Sequence, residues 1–318
     1  MTPKEHYREN CAQQPSIPIF SRDWWLDAVA GADNWDVAVI ESGNKIVASL
    51  PYVVRKHRGF TLLTQPPLTQ TLGPWLRQSD AKYAKRLGQE KDLLEALIAA
   101  LPNYHHFSQN WHHAQTNWLP FYWQGFSQTT RYTYRLPDLT DEKALWAGFQ
   151  ENIRRDIRKA QNRFQLKVRT DITVDDFLRL NQQVFERQGK GLPYSIDLVR
   201  RLDHACHDRN VRRIFIAEDE KGQQHAGVYL IWDENSAYYL MGGGDPALRN
   251  SGATSLCMWA AIRFAATVTK SFDFEGSMIE PVERFFRAFG AIQTPYFSVS
   301  KTPSRLLKSY QVLRKFLR

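Results

Sequence analysis

Cysteine is scarce and scattered. Cys11, Cys206 and Cys257 share no C-x-x-C spacing, which argues against a disulfide framework or a cysteine zinc site and favours a reducing, cytoplasmic setting. Long apolar runs are missing as well. The most apolar stretch, "CMWAAIRFAATV", is interrupted by Arg263 and is far too short to cross a bilayer. The first ten residues, "MTPKEHYREN", are charged and carry no apolar core, so neither a signal peptide nor a transmembrane helix is expected. Acid is absent from the last 18 residues, "KTPSRLLKSYQVLRKFLR", which hold six basic ones: Lys301, Arg305, Lys308, Arg314, Lys315 and Arg318. These are two thirds of the formal net charge of +9. Leu306, Leu307, Tyr310, Leu313, Phe316 and Leu317 fall at helical spacing among them, which predicts a basic amphipathic helix. Such a helix either docks on the protein's own core or meets an anionic membrane or an RNA backbone.

What is present points to ordinary globular packing. With 318 residues, 43% of them hydrophobic and 13% aromatic, the chain can build two cores in about two domains. Two hairpins look like versions of one unit. "WDVAVIESGNKIVASLPYVV" and "RIFIAEDEKGQQHAGVYLIW" both read strand, polar turn with glycine, strand, and in each the second strand carries an alanine and then a tyrosine (Ala48 and Tyr52; Ala226 and Tyr229). A helix is expected over about 82–101, then two strands with a long connection between Tyr104 and Tyr134. "DEKALWAGFQENIRRDIRKAQNRF" predicts one long helix with Trp146, Phe149, Ile153, Ile157, Ala160 and Phe164 as its apolar stripe and Arg154, Arg155, Arg158, Lys159 and Arg163 around it. The domain boundary is placed just before it, near Pro137 and Asp138, giving domains 1–138 and 139–318. A strand, two helices, the second hairpin, a strand "AYYLMGGG", a helix, a strand, a helix, and a strand "PYFSVSK" follow.

Two places can carry chemistry. In "YYLMGGGDPALRNSGATSLCMWAAIRFA" a strand runs into three glycines, and "RNSGAT" opens a helix. Backbone N–H groups at a helix start, with a glycine and an arginine beside them, can cradle a phosphate; the candidates are Arg249, Asn250, Ser251, Gly252, Ala253 and Thr254. A plain helix cap by Ser251 is the alternative. In "SFDFEGSMIEPVERFFRAFGA", Phe272 and Phe274 share one strand face and Asp273 and Glu275 the other; Gly276 ends the strand, Ser277 and Glu280 have capping-box spacing, and Pro281 suits a first helical turn. The two acids are candidates for a catalytic pair or for structural ion pairs with Arg284 and Arg287. Elsewhere, His105, His106, His112 and His113 have no metal-ligand spacing, so no metal is expected, and Trp118, Tyr122 and Trp123 read as core rather than as a stacking surface.

The order hairpin, strand, R-x-x-G-x-T turn, helix, strand, helix, strand resembles the second half of the GNAT acyltransferase fold, whose pyrophosphate loop Arg249 and Gly252 match while Thr254 departs from it. "LWAGFQENIRRDIRKAQ", "FDFEGSMIEPVERFFRAFGA" and "PYF" are similar to the FemAB-like branch, including BioF2-like acetyltransferase domains. The resemblance implies an α+β chain with two tandem GNAT-like domains, each a mixed, mostly antiparallel sheet flanked by helices, the first degenerate and the second active. It implies transfer of an acyl or aminoacyl group to an amine. The donor would be acyl-CoA, such as acetyl-CoA, or aminoacyl-tRNA; the acceptor would be a small-molecule or cell-envelope amine, with a peptidoglycan precursor among the possibilities. DNA is not an expected partner; a peripheral membrane contact is. On this reading Arg249 to Thr254 hold the donor, and Glu275 with Asp273 binds the ammonium or takes its proton. The helix after the acids offers Phe285 and Phe286 where many GNAT enzymes place a tyrosine acid, which favours the alternative of a non-catalytic protein binding RNA or an anionic membrane surface.

Overall fold

The computed structural model describes residues 1–187, 189, 191–276 and 278–316, without the side chains of 187 and 311–316. Ser277 of the expected capping box therefore lies outside the described residues, as do Leu317 and Arg318 and the side chains of Leu313, Arg314, Lys315 and Phe316 in the terminal helix. In chain order the elements are α1 (Pro3–Gln13), α2 (Asp23–Ala30), β1 (Trp35–Ser42), β2 (Lys45–His57), β3 (Phe60–Thr64), β4 (Trp75–Leu76), α3 (Tyr83–Ala99), β5 (His106–Asn110), α4 (Leu119–Trp123) and β6 (Ser127–Leu136). They continue with α5 (Glu142–Gly148), α6 (Glu151–Asn162), β7 (Lys167–Arg169), α7 (Val174–Arg187), α8 (Ile196–Asp208), β8 (Arg212–Glu218), β9 (Gln224–Trp232) and β10 (Ser236–Gly244). Last come α9 (Ala253–Ala265), β11 (Ser271–Asp273), α10 (Glu280–Arg287), β12 (Ile292–Lys301) and α11 (Arg305–Phe316).

Residues 1–131 with 295–318 form one compact unit, and 132–294 form another. The chain thus changes unit inside β6 and again inside β12, whereas the sequence reading divides it once, between 138 and 139. Strand pairing is the reason. The end of β6 pairs with β11 (Leu136 opposite Phe272, Arg135 opposite Asp273), and the end of β12 pairs with β5 (Ser298 opposite Asn110). Each half of the chain hands its last strand to the sheet of the other half.

With that exchange taken into account, the duplication seen in the hairpins is structural. Each unit has two helices (α1, α2; α7, α8), three antiparallel strands (β1, β2, β3; β8, β9, β10), a helix (α3; α9) and a fourth strand parallel to the third (β5 on β3; β11 on β10). In the first unit, α1 and α2 cover one sheet face through Tyr7, Cys11 and Leu26, while α3 and α4 cover the other through Leu94, Leu97 and Phe121. In the second, Ala226, Val228, Leu230 and Trp232 of β9 pack with α9 and α6. The alternate residue Tyr229 meets Phe177 of α7 at 5.6 Å between ring centroids. Both faces are buried, so β9 reads as a near-continuous apolar run rather than as an alternating one.

Two expectations are corrected. The long helix is broken into α5 and α6, because Phe149 is extended (φ −67°, ψ 141°) and buried against Trp259 and Phe289, each ring centroid 5.1 Å away. The Gln150 N–H then donates to the Ala288 carbonyl at 2.8 Å, so a tertiary bond replaces a helical one. The helix before β12 starts at Glu280 with Pro281 in its first turn and no side-chain cap, so Glu280 is the first helical residue and not the third, where a capping box needs it.

A buried ion pair fastens α8 to the sheet. The Arg212 guanidinium reaches Asp203 at 3.0 and 3.2 Å, and the Tyr229 hydroxyl donates to the same carboxylate at 2.7 Å. Removing one partner strands a charge in the core, whereas removing both does not. Arg212→Met is therefore expected to lower unfolding stability by about 3–5 kcal/mol and the double change Asp203→Asn with Arg212→Met by clearly less, as measured by chemical denaturation; equal losses would contradict this account.

Candidate active site

The site is built where two parallel strands part. β10 and β11 pair only from Ser236–Tyr238 to Ser271–Asp273. β10 runs on to Gly244 along β9, with a bulge between Tyr239 and Met241, while β11 stops. Beyond Tyr238 the β11-side edge of β10 has no strand partner among the described residues. Because the strands are parallel, the glycine-rich end of β10, the turn after β11 and the start of the returning helix α9 all lie at the same end of the sheet.

The strand is shorter than its sequence predicts. Phe272 and Phe274 are both buried in the core, 4.8 Å apart, as the period-two reading requires, but Glu275 has left the strand with φ +57°. Gly276 follows at φ +60°, and a Cβ there would lie 2.2 Å from the Tyr132 carbonyl oxygen and 2.5 Å from Thr133 Cα. No side chain fits, so glycine is demanded by the close approach of β6.

Asp273 is buried, with 5% of its surface exposed. Its Oδ1 accepts from the Thr133 hydroxyl in a short bond and from the Glu275 N–H at 2.7 Å; Arg135 Nε lies 3.8 Å from Oδ2. Burial pushes this carboxyl up to about 6, against the opposing pull of the Thr133 and Glu275 hydrogen bonds and of the Arg135 charge. Glu275 is half-buried, with Oε1 out of contact with solvent. Burial, then the neighbouring Asp273 charge, raises its carboxyl well above the ordinary range. The partners offered by sequence do not serve the acids: Arg287 pairs with Glu283 at 2.8 Å, and Arg284 is exposed. The partners that serve Asp273, Thr133 and Arg135, come from β6 and were missed, because nothing in a sequence marks a strand as exchanged.

The proposed phosphate cradle forms a short 3₁₀ turn, Arg249–Ser251, leading into α9. Arg249, Asn250 and Thr254 are exposed, and Ser251, Gly252 and Ala253 are buried. Ser251 is not the helix cap. That position belongs to Gly252 at φ +83°, with no side-chain cap, while the Ser251 hydroxyl accepts from the Ala253 N–H at 3.4 Å. A Cβ on Gly252 would sit 2.2 Å from the Asp156 carbonyl oxygen. The packing of α6 therefore already requires this glycine. The helix after the acids presents Phe286, buried against Phe274 and Tyr239, and a partly buried Phe285.

The remaining candidates fall elsewhere. His105 Nδ1 accepts from the Thr61 N–H at 2.9 Å, and His106 Nδ1 lies 2.8 Å from the Thr302 hydroxyl; among the described residues no cluster of three or more potential metal ligands occurs. Tyr122 and Trp123 are more than half exposed, unlike the core role expected of them, because α4 turns Phe121 inward instead. The basic face of α6 is partly neutralised by Glu151, which pairs with Arg154 and Arg158, and by Asp156, which pairs with Lys159.

Residues 147–280, which fall within the second unit, match the family model of the acetyltransferase (GNAT) domain. In fold the chain is similar to FemX. Its structure superposes on FemX with a TM-score of 0.68 at 12% identity, covering 93% of this chain and 96% of that one. The C-terminal domain of a protein assigned as a lysylphosphatidylglycerol synthetase from Agrobacterium fabrum gives 0.56 at 12% identity, covering 93% and 91%. L-PGS from Bacillus licheniformis gives 0.51 at 12% identity, covering 99% and 96%. No curated protein sequence matches the chain significantly.

The raised Asp273 carboxyl has a signed consequence for stability. Between its ordinary value of 3.8 and about 6, the folded protein keeps a proton that the unfolded chain has released, so this group lowers stability as pH rises through that window. Asp273→Asn removes the slope and keeps an acceptor. The stability of the wild type minus that of Asp273→Asn is expected to fall from about pH 4 to about pH 6 and then level off, as read from urea melts across pH; a rising difference would contradict the assignment.

Proposed function

We propose that this chain is an N-acyltransferase that moves an acyl or aminoacyl group from a thioester, acyl-CoA, or from aminoacyl-tRNA to the amine of a small-molecule or cell-envelope acceptor. The observation that carries this reading is the carboxyl pair at the end of β11, beside the parted edge of β10 and within the segment that matches the acetyltransferase family.

Glu275 is the reacting group on this reading and Asp273 its positioning residue. Asp273 is too buried to meet substrate, but its bond to the Glu275 N–H holds the left-handed turn that aims Glu275. The amine nitrogen attacks the donor carbonyl carbon, forming the C–N bond. Glu275 takes the proton released by nitrogen. The C–S bond of a thioester, or the C–O bond of a tRNA ester, then breaks, and the leaving sulfur or oxygen takes that proton back from Glu275. The proton balance closes with one carboxyl, so no tyrosine is needed where Phe285 and Phe286 stand. A carboxyl with raised proton affinity suits both steps, because general acid and base catalysis is most effective when the group's proton affinity lies near that of its partners. Backbone N–H groups on the unpaired edge of β10 can stabilise the oxyanion. Arg249 and the start of α9, from Gly252 to Thr254, would hold the phosphate-bearing part of the donor, and Asn250 and Ser251 would shape that turn.

Two variants test the reading. Glu275→Gln is expected to leave donor affinity unchanged while slowing transfer by about 10²- to 10⁴-fold, with an unaltered melting temperature; a folded variant of full activity would remove Glu275 from the reaction. Arg249→Glu is expected to weaken donor binding in calorimetry without lowering the melting temperature, because the side chain is exposed. Titrating CoA and an aminoacyl-tRNA mixture in parallel separates the donors. Saturable CoA binding lost in Arg249→Glu identifies the thioester. Salt-sensitive tRNA binding without CoA binding identifies the ester.

A further inference from the structure

The terminal helix α11 is not used by the proposed reaction, and Leu306 and Tyr310 of its apolar stripe are not spent on the protein's own core. Leu306 is 78% exposed and Tyr310 50% exposed, while Leu307, on the adjoining face, is half-buried. Ser304 starts the helix, its hydroxyl accepting from the Leu307 N–H at 3.3 Å. Arg305 and Lys308 are exposed. In sequence, Leu313 continues the spacing of Leu306 and Tyr310, four and three residues apart. Arg305 flanks the Leu306 and Tyr310 side, and Lys308 lies behind it. No acid interrupts the 18 residues.

We propose that α11 is an interfacial helix that binds the surface of an anionic phospholipid bilayer. The Leu306 and Tyr310 side enters the boundary between headgroups and acyl chains, and the flanking basic residues pair with lipid phosphates. Charge complementarity selects an anionic partner. The exposed leucine and tyrosine select lipid over a nucleic-acid backbone, which offers phosphates to Arg305 and Lys308 but no apolar phase to Leu306. Basic side chains on the polar side with leucine and an aromatic on the other are the composition of helices that lie in the interface rather than span it. The surface would hold the protein at an envelope without a membrane-crossing segment, and no described helix is long and apolar enough to be one.

The test is co-sedimentation of the full chain with vesicles of phosphatidylcholine alone and of phosphatidylcholine mixed with phosphatidylglycerol. Binding is expected to the mixed vesicles and not to the neutral ones, and to weaken with salt. Lys308→Glu is expected to weaken partition by at least about fivefold, the factor carried by one basic residue near such a surface. Leu306→Ser with Tyr310→Ser is expected to abolish binding. Both positions are exposed, so the melting temperature should hold; if the double variant melts lower, Lys308→Glu and the salt titration of the wild type decide. Failure of the wild type to bind mixed vesicles overturns the proposal. So does undiminished binding by a folded Leu306→Ser, Tyr310→Ser variant, or binding to an RNA homopolymer with none to vesicles.

Discussion

The hydrogen bonds from Thr133 and from the Glu275 N–H to one buried carboxylate, Asp273, tie together the elements of the candidate site in the second unit. A carboxylate is costly to bury unless donors surround it. Thr133 and Arg135 supply donor and charge from β6, a strand that precedes β11 by well over a hundred residues. The Glu275 N–H supplies a further donor locally, and the Asp273 oxygen thereby fixes the turn at which β11 leaves β10. If the carboxylate lacked its donors, the turn would lose its anchor and β11 would lose the reason to stop where it does. One interaction thus sets the end of a strand, the aim of Glu275 and the opening of the β10 edge.

Both units receive an exchanged strand, beside β11 in one and beside β5 in the other, so it is the residues at the strand ends that place this network in one unit only. Both units have the same order of helices, strands and a parallel fourth strand, so both present a place where the third and fourth strands run together. In the first unit the fourth strand, β5, ends in Gln109 and Asn110. Gln109 is buried and donates to the Pro51 carbonyl at 2.8 Å, and the Asn110 N–H donates to Gln65 at 2.6 Å. Amides at this point satisfy backbone groups without carrying a proton that could be exchanged. The duplicated architecture therefore carries titratable chemistry at one of its two equivalent strand ends, and in the other the same position is spent on holding β5 to its neighbours.

Much of this was legible in the residues. The hairpins, the helix after the glycine-rich strand, and the Phe272 and Phe274 core face follow from local periodicity, which a sequence states directly. The pairing of Asp273 with Thr133 and Arg135 does not, because it depends on which strand lies beside β11, and local pattern carries no information on partners. The same limit produced the single long helix in place of α5 and α6. Phe149 fits the helical stripe as well as Trp146 does, and only its burial between Trp259 and Phe289 shows why the backbone turns there. The match of Arg249 and Gly252 to a phosphate loop was legible too. Yet the contact of Gly252 with the Asp156 carbonyl gives the glycine a packing role that suffices by itself, so its presence alone does not argue for a ligand.

The carboxyl pair then has to be judged by what a single proton carrier can do. A carboxyl of ordinary proton affinity would stay ionised beside an ammonium, hold it as a salt bridge and return no proton to a leaving thiolate. Raising the affinity of Glu275 shrinks the gap on both sides, making removal of the ammonium proton easier and keeping the proton at hand when the C–S or C–O bond breaks. Burial supplies most of that rise, and the Asp273 charge adds to it. Asp273, held at about 6, is ionised above that value, so on the proposed reading its charge is in place when Glu275 takes up a proton. Two carboxyls in one turn are thereby pushed apart in proton affinity by their surroundings, which suits the proposed roles of anchor and proton carrier. That division of roles follows from burial and hydrogen bonding alone and would hold for a thioester or a tRNA ester alike.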